Sequence, residues 1–301
     1  MNLNKTLTQF RPSKKFFVGI DSDGCVFDSM GIKQRECFCP WMIACFGLQP
    51  VADAARECKE FADLFSKTRG ANRHKTIIRI LKDLLPKHPK VAERGFIVPK
   101  FEHYVKWVND PKSILSTAGL KKSICEIANK EAKSELEIAL NWSLRVDQAV
   151  AEIVRGITPF PFVRESLEKL ALYADIVVIS ATPLEAIIRE WTENGIVDCV
   201  RFIAGQEMGA KAQQLASTSK GKYDPSCVLM IGDAPGDFEA AKANNSLFYP
   251  INPNNEVLSW QRFMNEGIEK FIAGTFAGAY EFDLITEFEQ CLPVNPPWYK
   301  Q

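Results

Sequence analysis

The chain has 301 residues, 46% of them hydrophobic and 25% charged, and its 37 lysines and arginines balance 37 aspartates and glutamates. Such a composition supports a folded globular protein with a full core, and its neutrality excludes a generally basic nucleic-acid binder or a surface built for anionic membranes. No apolar stretch reaches the roughly 18 to 20 uncharged residues of a membrane-spanning helix, and the N-terminal MNLNKTLTQFRPSKKFF lacks the apolar segment of a signal peptide.

The first predicted element is FFVGI, residues 16–20, an apolar run that reads as a buried strand. It stops at Asp21 and Asp23, two carboxylates two residues apart, and the chain then turns at Gly24. Like charges that close repel, so the pair requires a cation, a proton or a chemical role. Residues 31–154 follow, rich in Ala, Leu, Lys and Glu and poor in strand runs, and are predicted to form an inserted helical module. The nine cysteines of the chain are odd in number and irregularly spaced, which predicts reduced thiols and a cytoplasmic setting. Cys37, Cys39 and Cys45 lack the second CxxC or histidine pair of a zinc site and are read as core residues. FSKTRGANRHK, residues 65–75, offers Arg69, Asn72 and Arg73 either to the polar headgroup of a substrate or to solvent at the start of a helix.

RGITPFPF, residues 155–162, reads as the linker back to the first strand's domain. Strand runs then recur at 174–180, 200–205, 227–233 and 246–251, separated by helical patterns such as PFVRESLEKLAL and PLEAIIREWTENG. Strand and helix in alternation predict an α/β fold, a parallel sheet with right-handed crossovers. The catalytic domain is therefore expected to comprise residues 1–30 and 155–301, with 253–301 as a helical extension whose aromatics Trp260, Phe263, Phe271, Phe276, Tyr280 and Phe288 pack on the core, and the cap to comprise 31–154.

Ligands bind at the carboxyl ends of parallel strands. At those ends stand Asp21 and Asp23, then Ser180 with Ala181 and Thr182 as further substrate contacts, then Lys211, then Asp233 and Asp237 in GDAPGD. Phosphoryl transfer to a carboxylate wants this set. One aspartate attacks phosphorus, a hard divalent ion such as Mg²⁺ sits on the carboxylate oxygens, a hydroxyl and an ammonium bind the phosphoryl oxygens, and a second acid moves the proton. Asp28 and Ser29 are read as helix N-caps.

In chain order, DSDGCVFDS, Ser180 within VVISATP, Lys211 and IGDAPGD resemble the four motifs of the haloacid dehalogenase superfamily, over roughly residues 14–30 and 155–251. The helical insertion lies where the subclass of phosphoglycolate phosphatases and β-phosphoglucomutases carries its cap. The resemblance implies a Rossmann-like three-layer core, Asp21 as nucleophile, Asp23 as acid and base, and Mg²⁺ held by Asp21, Asp233, Asp237 and the backbone carbonyl of Asp23. It also implies a phosphatase acting on a small phosphorylated metabolite, with a phosphomutase as the alternative. Relatives that displace halide or cleave phosphonates usually lack the second acid, so Asp23 favours phosphate esters. Two departures stand out. Lys211 lies in GAKAQQL rather than before a Pro-containing segment, which leaves Lys220 and Lys222 as competitors, and Ala181 replaces a frequent Asn. A phospho-receiver module, at about 120 residues, is too small for this chain.

Overall fold

The computed structural model describes residues 7–299. Five strands, β1 (Phe16–Ile20), β2 (Ala174–Ile179), β3 (Phe202–Ala204), β4 (Val228–Gly232) and β5 (Leu247–Pro250), form one parallel sheet in the order β3-β2-β1-β4-β5. Helices cover both faces, which is why the strands are apolar without alternation. Phe16, Val18 and Ile20 join Ile176 and Val178 in a layer beneath the Val163–Ala171 and Leu184–Glu193 helices. Phe17, Val177, Ile179 and Met230 point the other way, towards Leu215 and Ala241 of the Lys211–Ser219 and Pro235–Ala243 helices. This is a three-layer, Rossmann-like α/β fold.

The strand order determines where a ligand can sit. From β1 the chain builds outward through β2 and β3, then crosses to the other side of β1 for β4 and β5. The crevice of such a sheet opens where the order reverses, between β1 and β4. Ile20 lies opposite Ile231, and the Asp21 N–H donates to the Ile231 carbonyl at 3.0 Å, extending the ladder by one residue. The residues that follow β1 and β4 therefore emerge side by side.

The chain divides into two compact units, the residues up to Met30 with Gly156–Leu292, and Gly31–Arg155 with the residues from Pro293 on. Trp260, Phe263, Phe271, Phe276 and Phe288 are buried in the sheet unit, and Tyr280 is half-buried there. The final segment, expected with the sheet unit, instead groups with the helical one, because its polar and aromatic groups find partners there. Arg79 donates to the Val294 carbonyl at 2.7 Å, the Tyr299 hydroxyl donates to the Asp83 carbonyl at 2.6 Å, and the Trp298 ring packs 4.8 Å from His88 and 5.7 Å from Phe61.

The helical unit is built on the 24-residue Lys130–Ile153 helix. Its core gathers Phe46, Tyr104, Trp107 and Trp142 around the fully buried His74, whose Nδ1 lies 2.7 Å from the Tyr104 hydroxyl. No helix among the described residues is long and apolar enough to cross a membrane.

Burial lowers the His74 pKa to about 4, with Arg73 adding to the effect and Asp147 opposing it. A depressed base binds its proton in the unfolded chain first, so its contribution is present above the unfolded value and is lost as the pH falls through the window down to about 4. The difference amounts to about 3 kcal/mol between pH 7.5 and pH 4. Urea unfolding of the full chain followed across that range should show His74→Phe losing less stability than the wild type. Parallel losses in the two proteins would contradict the assignment.

Candidate functional site

The loop leaving β1 is held in shape before any chemistry is considered. Gly24 takes a left-handed φ of +79° and donates its N–H to the Phe27 carbonyl at 2.8 Å, while Val26 N–H closes onto the Ser22 carbonyl at 2.9 Å. A residue with a Cβ would be strained at that φ. Two buried indoles anchor the loop from outside. Trp191 donates to the Ser22 hydroxyl at 3.0 Å and Trp260 to the Cys25 carbonyl at 2.8 Å. Trp260, expected as a packing residue, thus also positions the loop, and Trp191 was not anticipated at all.

Asp21 leaves this loop into a cluster with Asp233 and Asp237, in which one oxygen of each acid lies within 4.8 Å of the others. All three are buried. Asp237 comes this close because position 232 is glycine: a Cβ there would stand 2.3 Å from the Asp237 Cβ. Lys211, the first residue of its helix, reaches in to Asp21 Oδ2 at 2.9 Å and to Asp237 Oδ1 at 2.7 Å. Of the competing lysines, Lys220 is exposed at the far end of that helix, and Lys222 donates to the Ser217 carbonyl at 2.6 Å.

Charge is unbalanced here. Three carboxylates against one ammonium leave two negative charges among buried side chains. Burial raises the Asp21 pKa well above the ordinary carboxylate value, with Lys211 opposing and Asp237 and Asp233 reinforcing the rise. Burial alone would lower Lys211, but Asp21 and Asp237 outweigh it and hold the ammonium firmly protonated. Both shifts express one fact: the pocket favours added positive charge. Asp21 Oδ1 is buried with no hydrogen-bond partner, a costly state for an anionic oxygen unless a cation meets it. An all-oxygen set short of two positive charges suits a hard divalent ion. Among the described residues this is the one group of three that could hold a metal.

Asp23 plays no part in that cluster through its side chain. One carboxylate oxygen accepts from the Ser29 hydroxyl and the other from the Thr182 hydroxyl. Ser29, expected as a helix cap, directs its hydroxyl to Asp23 instead, and Thr182, expected to contact substrate, orients the same acid. Ser180 is buried beside it, its hydroxyl accepting from the Thr182 N–H at 3.2 Å, while Ala181 is exposed. Cys25 sits close enough to feel Asp233, Asp21 and Asp237, but burial, followed by those charges, pushes its thiol well above the usual range, so it is no thiolate nucleophile.

Arg69, Asn72 and Arg73 are engaged within the helical unit. Arg69 is buried and donates to the Leu64 carbonyl at 2.9 Å. Asn72 caps the Arg73–Arg79 helix by accepting from the His74 N–H at 3.0 Å, and donates to the Leu115 carbonyl at 2.9 Å. Arg73 pairs with Asp147 at 2.6 Å and stacks its guanidinium 4.8 Å from the Phe38 ring centre.

The chain is similar to haloacid dehalogenase-like hydrolases. One is a hydrolase of the haloacid dehalogenase-like family from Streptococcus pneumoniae, 13% identical, with 82% of this chain and 90% of that one covered at a TM-score of 0.41. A second, from Lactobacillus delbrueckii subsp. bulgaricus and provisionally titled a phosphoglycolate phosphatase, is 14% identical over 88% of this chain and 100% of its own, with a TM-score of 0.49. A third is a 2-haloacid dehalogenase from Pseudomonas syringae, 15% identical over 77% and 84%, with a TM-score of 0.37. No protein-family model and no curated protein sequence matches the chain. All three TM-scores lie below 0.5, so what the chain does must be read from its own residues.

The charge imbalance has a thermodynamic signature. Without divalent ions, Asp233→Asn should melt a few degrees above the wild type, because one repelling charge is gone. With excess Mg²⁺ the order should reverse, as the wild type gains binding energy that the variant lacks. Calorimetry in EDTA and in Mg²⁺ checks both halves, and an unchanged order would contradict the imbalance.

Proposed function

We propose that this chain is a magnesium-dependent phosphatase that hydrolyses a small phosphorylated metabolite in the cytoplasm through an aspartyl-phosphate on Asp21. The observation that carries the reading is the split environment of Asp21: Oδ2 is fixed by Lys211 at 2.9 Å, and the buried Oδ1 has no hydrogen-bond partner. A carboxylate fixed by an ammonium on one oxygen, with the other left for a cation or an electrophile, is positioned to act as a nucleophile.

In the first step an Asp21 carboxylate oxygen forms a bond to phosphorus and the ester P–O bond breaks. Asp23 delivers its proton to the departing alkoxide, held at the right angle by Ser29 and Thr182. Lys211 and the Ser180 hydroxyl take the phosphoryl oxygens, whose charge spreads in the transition state. In the second step Asp23, now ionised, removes a proton from water as that water attacks phosphorus, and the Asp21–phosphorus bond breaks to release inorganic phosphate. Asp21, Asp233 and Asp237, with the Asp23 carbonyl, would hold Mg²⁺, which when bound neutralises charge between carboxylate and phosphate. The free thiols of all nine cysteines suit a reducing compartment.

Purified protein with Mg²⁺ should release phosphate from p-nitrophenyl phosphate or sugar phosphates. Asp21→Asn should abolish release, and Asp23→Asn should lower kcat by about 100-fold or more. Full activity in Asp21→Asn, or an isomerised sugar phosphate with no free phosphate, would contradict the reading.

A further inference from the structure

We propose that Gln214 is a positioning residue for this reaction, tying the Ser180 loop to the loop ahead of Lys211 and so setting where the phosphoryl group is held. The inference rests on the phosphatase reading above and deepens it.

Gln214 is fully buried. Its Nε2 donates towards three backbone carbonyls, those of Ser180 at 3.0 Å, Gly205 at 2.9 Å and Gly209 at 2.8 Å. Those carbonyls belong to two segments, the end of β2 and the turn that follows β3. The Gln214 Oε1 is buried without a partner, so the amide is oriented entirely by what it donates. Ser180 is consequently fixed on both sides of its backbone, its N–H by the Ala204 carbonyl at 3.1 Å and its carbonyl by Gln214.

The turn between Gly205 and Gly209 closes on itself through the Met208 N–H to the Gly205 carbonyl at 3.0 Å and packs Met208 on the core, so its ties to the rest of the site are few. Gly209 takes a φ of +97°, and a Cβ on Gly205 would come 2.6 Å from the Leu184 nitrogen, so neither end can carry an anchoring side chain. Besides Gln214, the turn is tied across by the Gln206 N–H to the Thr182 carbonyl at 2.9 Å and by Glu207, which accepts from the Leu184 N–H at 3.1 Å. Lys211 and Gln214 stand three residues apart and share a helix face. A single turn of helix thus presents an ammonium to the carboxylates and an amide to the carbonyls, and registers the two halves of a phosphoryl pocket against each other.

Gln214→Leu removes the donors at similar size. It is expected to lower kcat by about tenfold or more, since a small misplacement of a reacting group is costly, while the melting temperature shifts by a few degrees at most. Gln214→Glu carries a distinct signature. Its neutral carboxyl can donate one hydrogen bond, whereas the ionised form donates none and faces three carbonyl dipoles, so its activity profile should shift towards acid relative to the wild type. Hydrogen–deuterium exchange over residues 204–210 should be faster in Gln214→Leu. A kcat within about twofold of wild type in Gln214→Leu, a Gln214→Glu profile superimposed on the wild type, or unchanged exchange would each overturn the proposal. Should Gln214→Leu fail to fold, the Gln214→Glu profile decides. A wild type that releases no phosphate sinks the phosphatase reading instead, and the exchange comparison still decides whether Gln214 ties the loops.

Discussion

Lys211 holds Asp21 and Asp237 at 2.9 and 2.7 Å, with Asp233 alongside, and all three acids are buried. Coulomb repulsion between carboxylates so placed reaches several kcal/mol per pair, on the order of 4 kcal/mol at surface-like screening, so no folded chain gathers three of them without compensation. One ammonium offsets part of the charge. The rest is uncompensated negative charge, which a divalent cation would offset. Nearly every other feature of the site is a means of keeping those four groups in place.

The sheet is the first of those means. Because the strand order reverses between β1 and β4, the chain that follows each emerges at one crevice, and the register that sets Ile20 against Ile231 brings Asp21 and Asp233 together. Glycine at 232 lets Asp237 fold back from its helix into the same space. The second means is a frame of polar bonds made by otherwise apolar or buried residues. The indoles of Trp191 and Trp260 fix the loop after β1, and the amide of Gln214 fixes the loops after β2 and β3. Asp23 stands outside the cation cluster with a hydroxyl on each oxygen. That separation is what the proposed reaction requires of one acid that attacks and a neighbour two residues on that handles protons.

The five strands and the acids at their ends were legible in the sequence because each is a local signal: an apolar run, then a carboxylate or hydroxyl where the run stops. The supporting frame was not, because its bonds join residues far apart in the chain. Trp191 and Ser22 are 169 positions apart, Trp260 and Cys25 235, and Thr182 and Asp23 159. Ser29 reads locally as a helix cap and acts instead across a turn on Asp23. Arg69, Asn72 and Arg73 read as a basic cluster, yet a carbonyl, a cap and a paired aspartate occupy them. One signal for Gln214 was available. The residues after Lys211 depart from the Pro-containing pattern of the family resembled, and a polar side chain one helical turn past a site lysine is a candidate for bonding the loops beside it.

The central claim is that the carboxylates of Asp21, Asp233 and Asp237 jointly bind one divalent ion. Anomalous scattering from crystals grown with Mn²⁺ in place of Mg²⁺ tests it most directly. The account predicts a single strong peak among those three carboxylates, absent from crystals of Asp233→Ala. A peak elsewhere, or none in the wild type under saturating Mn²⁺, would contradict it.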